Sequence, residues 1–235
     1  RKYTNEHIWA WNYGSSKINT TTWSACFGYP VSNYTNASGD CPTQNFVDRF
    51  ETLDGDPLLT ETDRITAAAA GHYNEQDPYT NRDPRLDKTI LHDGSIVAGC
   101  PSGVNIHYDP ATGTYPTSSL NNNARTFGIA WGSNDQKGYS NTGYYVNKLW
   151  NGALGTSAAH QHTDPLIRMA ELYLNYAEAV NEAYGPNGTA GGLALTATEA
   201  VNKIRSRAGM PDVLDKFTGD ALSMRERIRN ERCVE

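Results

Sequence analysis

The chain has 235 residues, with 20 lysines and arginines against 26 aspartates and glutamates, a net charge of -6. No basic run stands out before the final segment, which argues against nucleic acid as a partner, and no apolar run approaches the roughly 20 residues that a membrane span needs. A chain of this length buries about 70% of its unfolded surface, as one large domain or two small ones.

The first expected element is a strand, because Trp9, Trp11 and Tyr13 alternate as residues do along one strand face. Ordinary core packing is the reading for Trp9 and Trp11. A polar, turn-rich segment follows, and Trp23, Tyr29 and Tyr34 are more ring surface than it can hide. Cys26 and Cys41 bracket that segment. Joining them would remove denatured-state entropy worth roughly 3 kcal/mol, and separate buried thiols are the alternative.

Helices are expected over Thr43 to Thr52 and from about Thr60 to Ala70. Between them, Asp54 and Asp56 read as solvated turn carboxylates, since glycosidase chemistry needs two carboxyls about 5 to 10 Å apart across a cleft. No nucleophile-elbow motif accompanies the serines and histidines. The run NRDPR, Asn81 to Arg85, is a turn: Pro84 pushes Asp83 away from helical geometry. Its arginines suit a structural tie to carboxylates or carbonyls, with ligand contact as the alternative.

Extended pieces are expected at Leu86 to Leu91 and Tyr144 to Trp150, with Trp150 packed in the core. Trp131 sits among small polar residues with little apolar company. Like Trp23, it is a candidate for facing a ligand. Cys100 lacks context for a bridge. His160 and His162 form an HxH pair before Asp164, but no third ligand is suggested by spacing and Asp164 is better used as a helix cap, so no metal is expected. The 12-residue calcium-loop pattern is also absent. No cofactor is implied.

From Asp164 the chain becomes helical. Asp164 as N-cap and Pro165 in the first turn open a helix to Glu182, with Leu166, Ala170, Tyr173, Leu174, Ala177 and Val180 on one apolar face. A second helix starts at a capping box of Thr196 and Glu199, carries Ala197, Ala200, Val201, Ile204 and Ala208 inward, and stops at Gly209 and Pro211. The two make an antiparallel pair. A third helix is expected from near Thr218, with Leu222, Ile228 and Val234 inward and RERIRNER as a solvated face of weak ion pairs, a phosphate or protein contact being the alternative. Cys233 on this helix suits a packed thiol. The pattern reaches Glu235 without a stop signal, so the sequence reads as ending inside an element.

These segments resemble the SusD/RagB family of nutrient-binding lipoproteins. The resemblance rests on NEHIWAW, CPTQNFVDRFETLDGDP, PYTNRDPRLDKTIL, TGYYVNKLW, PLIRMAELYLNYAEAVNEA, AVNKIRSRAGMP and RERIRNERCVE, in that order over nearly the whole chain. It implies a mainly α fold, a SusD-like α/α superhelix of tetratricopeptide-like helix pairs with a large irregular loop region, of which this chain is the C-terminal part. One helix pair is legible, and its span exceeds the usual period of about 34 residues.

The resemblance further implies a non-enzymatic binder at the outer-membrane surface, held by an N-terminal lipid, that passes oligosaccharides or peptides to a SusC-like TonB-dependent transporter. Residues 1–163 then supply a loop-rich ligand face and 164–235 the helical scaffold. Aromatic rings stack on sugar faces while polar side chains read the hydroxyls. The ligand-binding candidates are Trp23, Tyr29, Tyr34 and Trp131. A helical-repeat scaffold that binds only protein is the alternative.

Overall fold

In the computed structural model, which describes residues 5–12, 18–19, 41–96, 104–105, 120–121, 124–126, 142–148, 159–160 and 163–235, the chain divides into two units. The first combines Arg1–Asn12, Asp48–Leu86 and Thr163–Glu235, and the second combines Tyr13–Val47 and Asp87–His162.

The first unit is built on four helices, α1 (Glu61–Ala69), α2 (Met169–Tyr184), α3 (Ala197–Ala208) and α4 (Ala221–Val234). Its core is the meeting of three apolar stripes: Ala170, Leu174, Ala177 and Val180 from α2, Ala197, Ala200, Val201 and Ile204 from α3, and Met224 and Ile228 from α4. Ala177, Ala197 and Ala200 are fully buried, and such small side chains let helix axes approach closely. Two polar groups fasten the bundle. Tyr176 Oη donates to Leu195 O at 2.6 Å, and the buried Asn181 donates from Nδ2 to Ala221 O at 2.8 Å, joining α2 to the start of α4.

α3 follows the sequence reading closely. Thr196 and Glu199 form both halves of the capping box, and Gly209 leaves the helix at φ 81°, the left-handed exit that a glycine adopts without steric cost. α4 starts later than expected. Thr218 closes a 3₁₀ turn at Asp215–Phe217, and Asp220 is the cap, accepting from the N–H groups of Leu222 and Ser223. Leu222 therefore stands in the first turn, 65% exposed, rather than inward as expected; Ile228 and Val234 are buried. Cys233 is exposed, not packed.

α2 departs more. Asp164 and Pro165 do not cap it, because Thr163–Arg168 is a strand, β2, paired antiparallel with β1 (His7–Asn12). The helix opens at Met169, and its cap comes from the residue just before the other strand. Glu6 O accepts from Met169 N–H at 2.9 Å, and the Glu6 carboxylate accepts from Ala170 N–H at 3.2 Å. Leu166, assigned by sequence to the helix face, is a half-exposed strand residue. The ribbon pairs His7 with Arg168, Trp9 with Ile167, Ala10 with Pro165 and Trp11 with Asp164. Ile8 and Leu166 are thus skipped on opposite strands, two bulges that cancel.

Asp48–Leu86 departs in a similar way. The helix expected over Thr43 to Thr52 spans only Gln44–Val47, and the chain beyond it turns the Phe50 carbonyl toward Arg82, which donates from Nε at 3.1 Å and from a terminal nitrogen at 2.7 Å. α1 matches its expected span. Where an extended piece was expected from Leu86, the chain makes a short helix, Arg85–Thr89, before a strand at Ile90–Leu91. Asp83 accounts for this, since its carboxylate accepts from Arg85 N–H at 2.9 Å and Pro84 fits the first turn.

In the second unit, Ile90–Leu91 pairs antiparallel with Tyr145–Val146, and Val47, Ile90, Leu91, Tyr144 and Tyr145 are buried. Tyr144 Oη donates to Gln44 Oε1 at 2.6 Å, and Asn147 N–H donates to Thr89 O at 2.8 Å. Shorter ladders join Ile18–Asn19 to Ala159–His160, and Ala124–Thr126 to both Val104–Asn105 and Leu120–Asn121.

Candidate functional site

Two features of the first unit bear on function: a buried ion network that fixes the scaffold, and an exposed aromatic ribbon. The network corrects the reading of RERIRNER as a solvated face. Arg227, Asn230 and Glu231 are buried, and only Glu226, Arg229 and Arg232 among the charges of that run are exposed. Glu231 accepts from Arg85 at 2.7 Å and from Arg205 at 3.1 Å. Arg205 lies 3.0 Å from Glu51, which also accepts from Arg227. The Arg227 guanidinium covers the Phe217 ring at 4.7 Å.

Burial opposes the charge on Arg85, but hydrogen bonding to Asp83 and the charge of Glu231 outweigh it and hold the guanidinium above its ordinary pKa. Glu235 shows the converse. Burial would raise its carboxyl, yet the hydrogen bond and charge of Arg207, followed by Arg168, hold it below the usual carboxylate range. The NRDPR arginines are therefore structural ties: Arg82 reaches Phe50 O and Pro78 O, and Arg85 joins its segment to α4. Each acid of the network, Glu51, Asp83, Glu231 and Glu235, faces at least one guanidinium.

The ribbon is different. Trp9 and Trp11 are 59% and 57% exposed, so neither is a core residue as the sequence reading had it. Alternation puts both rings on one face, but it cannot tell whether that face is covered. Asp164 stands opposite Trp11 and Ile167 opposite Trp9, and cross-strand partners share a face. Two flat indoles beside a carboxylate are a surface on which a sugar ring can stack while its hydroxyls find an acceptor. A cleft of about 190 Å³ lies over Leu166, Glu171 and Arg232, below the roughly 300 to 1,000 Å³ of enclosing small-molecule sites.

Trp23, Tyr29, Tyr34 and Trp131 lie outside the described residues, as do Trp150, Cys26, Cys100 and His162. Only the backbone of His160 is described. Among the described residues no three His, Cys, Asp or Glu side chains gather as a metal site, and no helix is long and apolar enough to cross a membrane.

Fold and ribbon together define a mainly α scaffold protein with an exposed aromatic surface. The chain belongs to the SusD family, whose profile matches residues 5–235. It is similar to a SusD-like protein from Bacteroides fragilis NCTC 9343, with a TM-score of 0.61 and 25% identity over 97% of this chain and 40% of that one. A SusD-like carbohydrate binding protein from the same strain shares the fold, with a TM-score of 0.53 and 22% identity over 97% of this chain and 38% of its own. The chain thus spans well under half the length of these structures. No curated protein matches it.

Proposed function

We propose that the protein captures an oligosaccharide at the outer-membrane surface and delivers it unaltered to a TonB-dependent transporter of the SusC type, tethered there by a lipid anchor. The observation that carries this reading is the pair of exposed indoles, Trp9 and Trp11, on a SusD-family scaffold. The carbohydrate binding described for one similar structure agrees with it. In this reading residues 1–163 provide the ligand face, with Trp23, Tyr29, Tyr34 and Trp131 as further stacking rings, and residues 164–235 provide the scaffold. The buried network holds that scaffold rigid, so affinity grows with the number of rings engaged rather than by closure of a pocket. The half-exposed Ile8 and Leu166 favour a second reading, a scaffold that binds protein through the same ribbon.

The test is glycan-array screening followed by calorimetry on the single variants Trp9→Ala, Trp11→Ala, Trp23→Ala and Trp131→Ala. Each should weaken sugar binding by about 1 kcal/mol or more with nearly unchanged thermal stability, whereas truncating a core tryptophan costs roughly 3 to 5 kcal/mol of stability. The ligand should be recovered intact. Undiminished binding by all four variants would dismiss these residues, and shorter products abolished by one carboxylate substitution would make the protein an enzyme.

A further inference from the structure

Helix α1 is held by very little apolar burial, since Ala67 is its one buried residue. Its attachment is polar. Along its length Arg64 donates to Leu58 O at 3.2 Å and lies 3.6 Å from Asp48 and 3.7 Å from Glu75. At its end, Gly71 N–H bonds to Ala68 O and His72 N–H to Ala67 O, the paired C-terminal bonds that hold the His72 backbone against the helix end. That ring sets Nδ1 2.7 Å from Asp56 and 4.0 Å from Asp54, while Lys216 lies 3.4 Å from the other oxygen of Asp56.

Asp56 is itself on a stiff turn. Thr52 N–H donates to Asp56 O at 3.0 Å, Asp56 N–H donates to Thr52 Oγ1 at 3.0 Å, and Leu53 N–H donates to Asn81 O at 2.7 Å. The charged groups around the junction are Arg64, Lys216, Asp48, Asp54, Asp56 and Glu75. Histidine is the side chain whose ordinary charge change falls between about pH 5 and 8.

We propose that His72 is a pH-sensitive latch that fastens the C-terminal end of α1 to the Thr52–Asp56 turn when protonated and loosens it when neutral. The hydrogen bond to Asp56 raises the His72 pKa, against slight burial, and the charges of Asp54 and Asp56 add to the effect. A value raised by folding means that the latch contributes fully below about pH 6.5, the unfolded value, and is lost as pH rises through the folded value. This device is independent of what the protein binds.

The test is histidine NMR titration together with amide exchange of α1, corrected for intrinsic rates, at pH 6 and pH 8. His72 should titrate above its ordinary value in the parent and nearer to it in Asp56→Asn and Asp54→Asn. Protection of the α1 amides should fall roughly threefold or more from pH 6 to 8 while that of α3 holds, and His72→Gln should abolish the difference. A His72 that titrates at or below its ordinary value would overturn the proposal. So would pH-independent protection of α1, or an equal fall in His72→Gln.

Discussion

Glu231 shows how little a charge's sequence neighbours reveal about its surroundings. It sits in a run of alternating signs that normally marks a solvated face, yet it is 2% exposed and shared between Arg85 and Arg205. Glu231→Gln would leave Arg85 with Asp83 and the longer contact to Glu235, and Arg205 sharing Glu51 with Arg227, one buried carboxylate short, and the loss should be about 3 to 5 kcal/mol in urea denaturation. Arg229→Gln, on the same helix but paired with Glu226 in solvent, should change stability by less than about 0.5 kcal/mol. Similar small losses for both would show that burial is not what distinguishes them. A signal did exist in the sequence: Glu231 falls seven residues after Met224 and three before Val234, on the apolar stripe itself. What the sequence withheld was the partners, because Arg205 lies 26 residues away and Arg85 lies 146 residues away in the chain.

At the scale of elements, legibility tracked how local the stabilising contacts are. α3 was readable at both ends because its cap and its exit are made by its own residues. Thr196→Ala should therefore cost about 1 kcal/mol, within roughly 0.5 to 2, measured by denaturation. No loss would mean that the capping box is not holding the helix start. The dipeptide Asp-Pro is the instructive contrast. At Asp83–Pro84 it opens a helix, and at Asp164–Pro165 it lies in a strand, because β1 is there to pair and Glu6 takes over the cap. Local chemistry permits either outcome and tertiary pairing decides. Trp9 and Trp11 follow the same rule: their shared face was legible, and their exposure was not.

At the scale of the molecule, the family was legible because its motifs are spread in order along the chain, a pattern that no single helix or turn could supply. The aromatic residues proposed for ligand contact were legible only as rings in polar company, since stacking geometry depends on how distant loops are brought together. The β1–β2 ribbon carries a kinetic consequence of the same topology. It is an antiparallel pair whose connecting loop, from Asn12 to Thr163, runs to about 150 residues. Relative to a loop of about five residues, closing it costs about 3 kcal/mol more in chain entropy, at roughly 0.6 kcal/mol per doubling. The pair should accordingly zip after the rate-limiting step, once the intervening chain is already compact. Ile167→Ala should accelerate unfolding in stopped-flow chevrons and leave the refolding limb in place, whereas a matching slowdown of refolding would put the ribbon in the nucleus. Strand β1, although early in the sequence, should thus join the fold late.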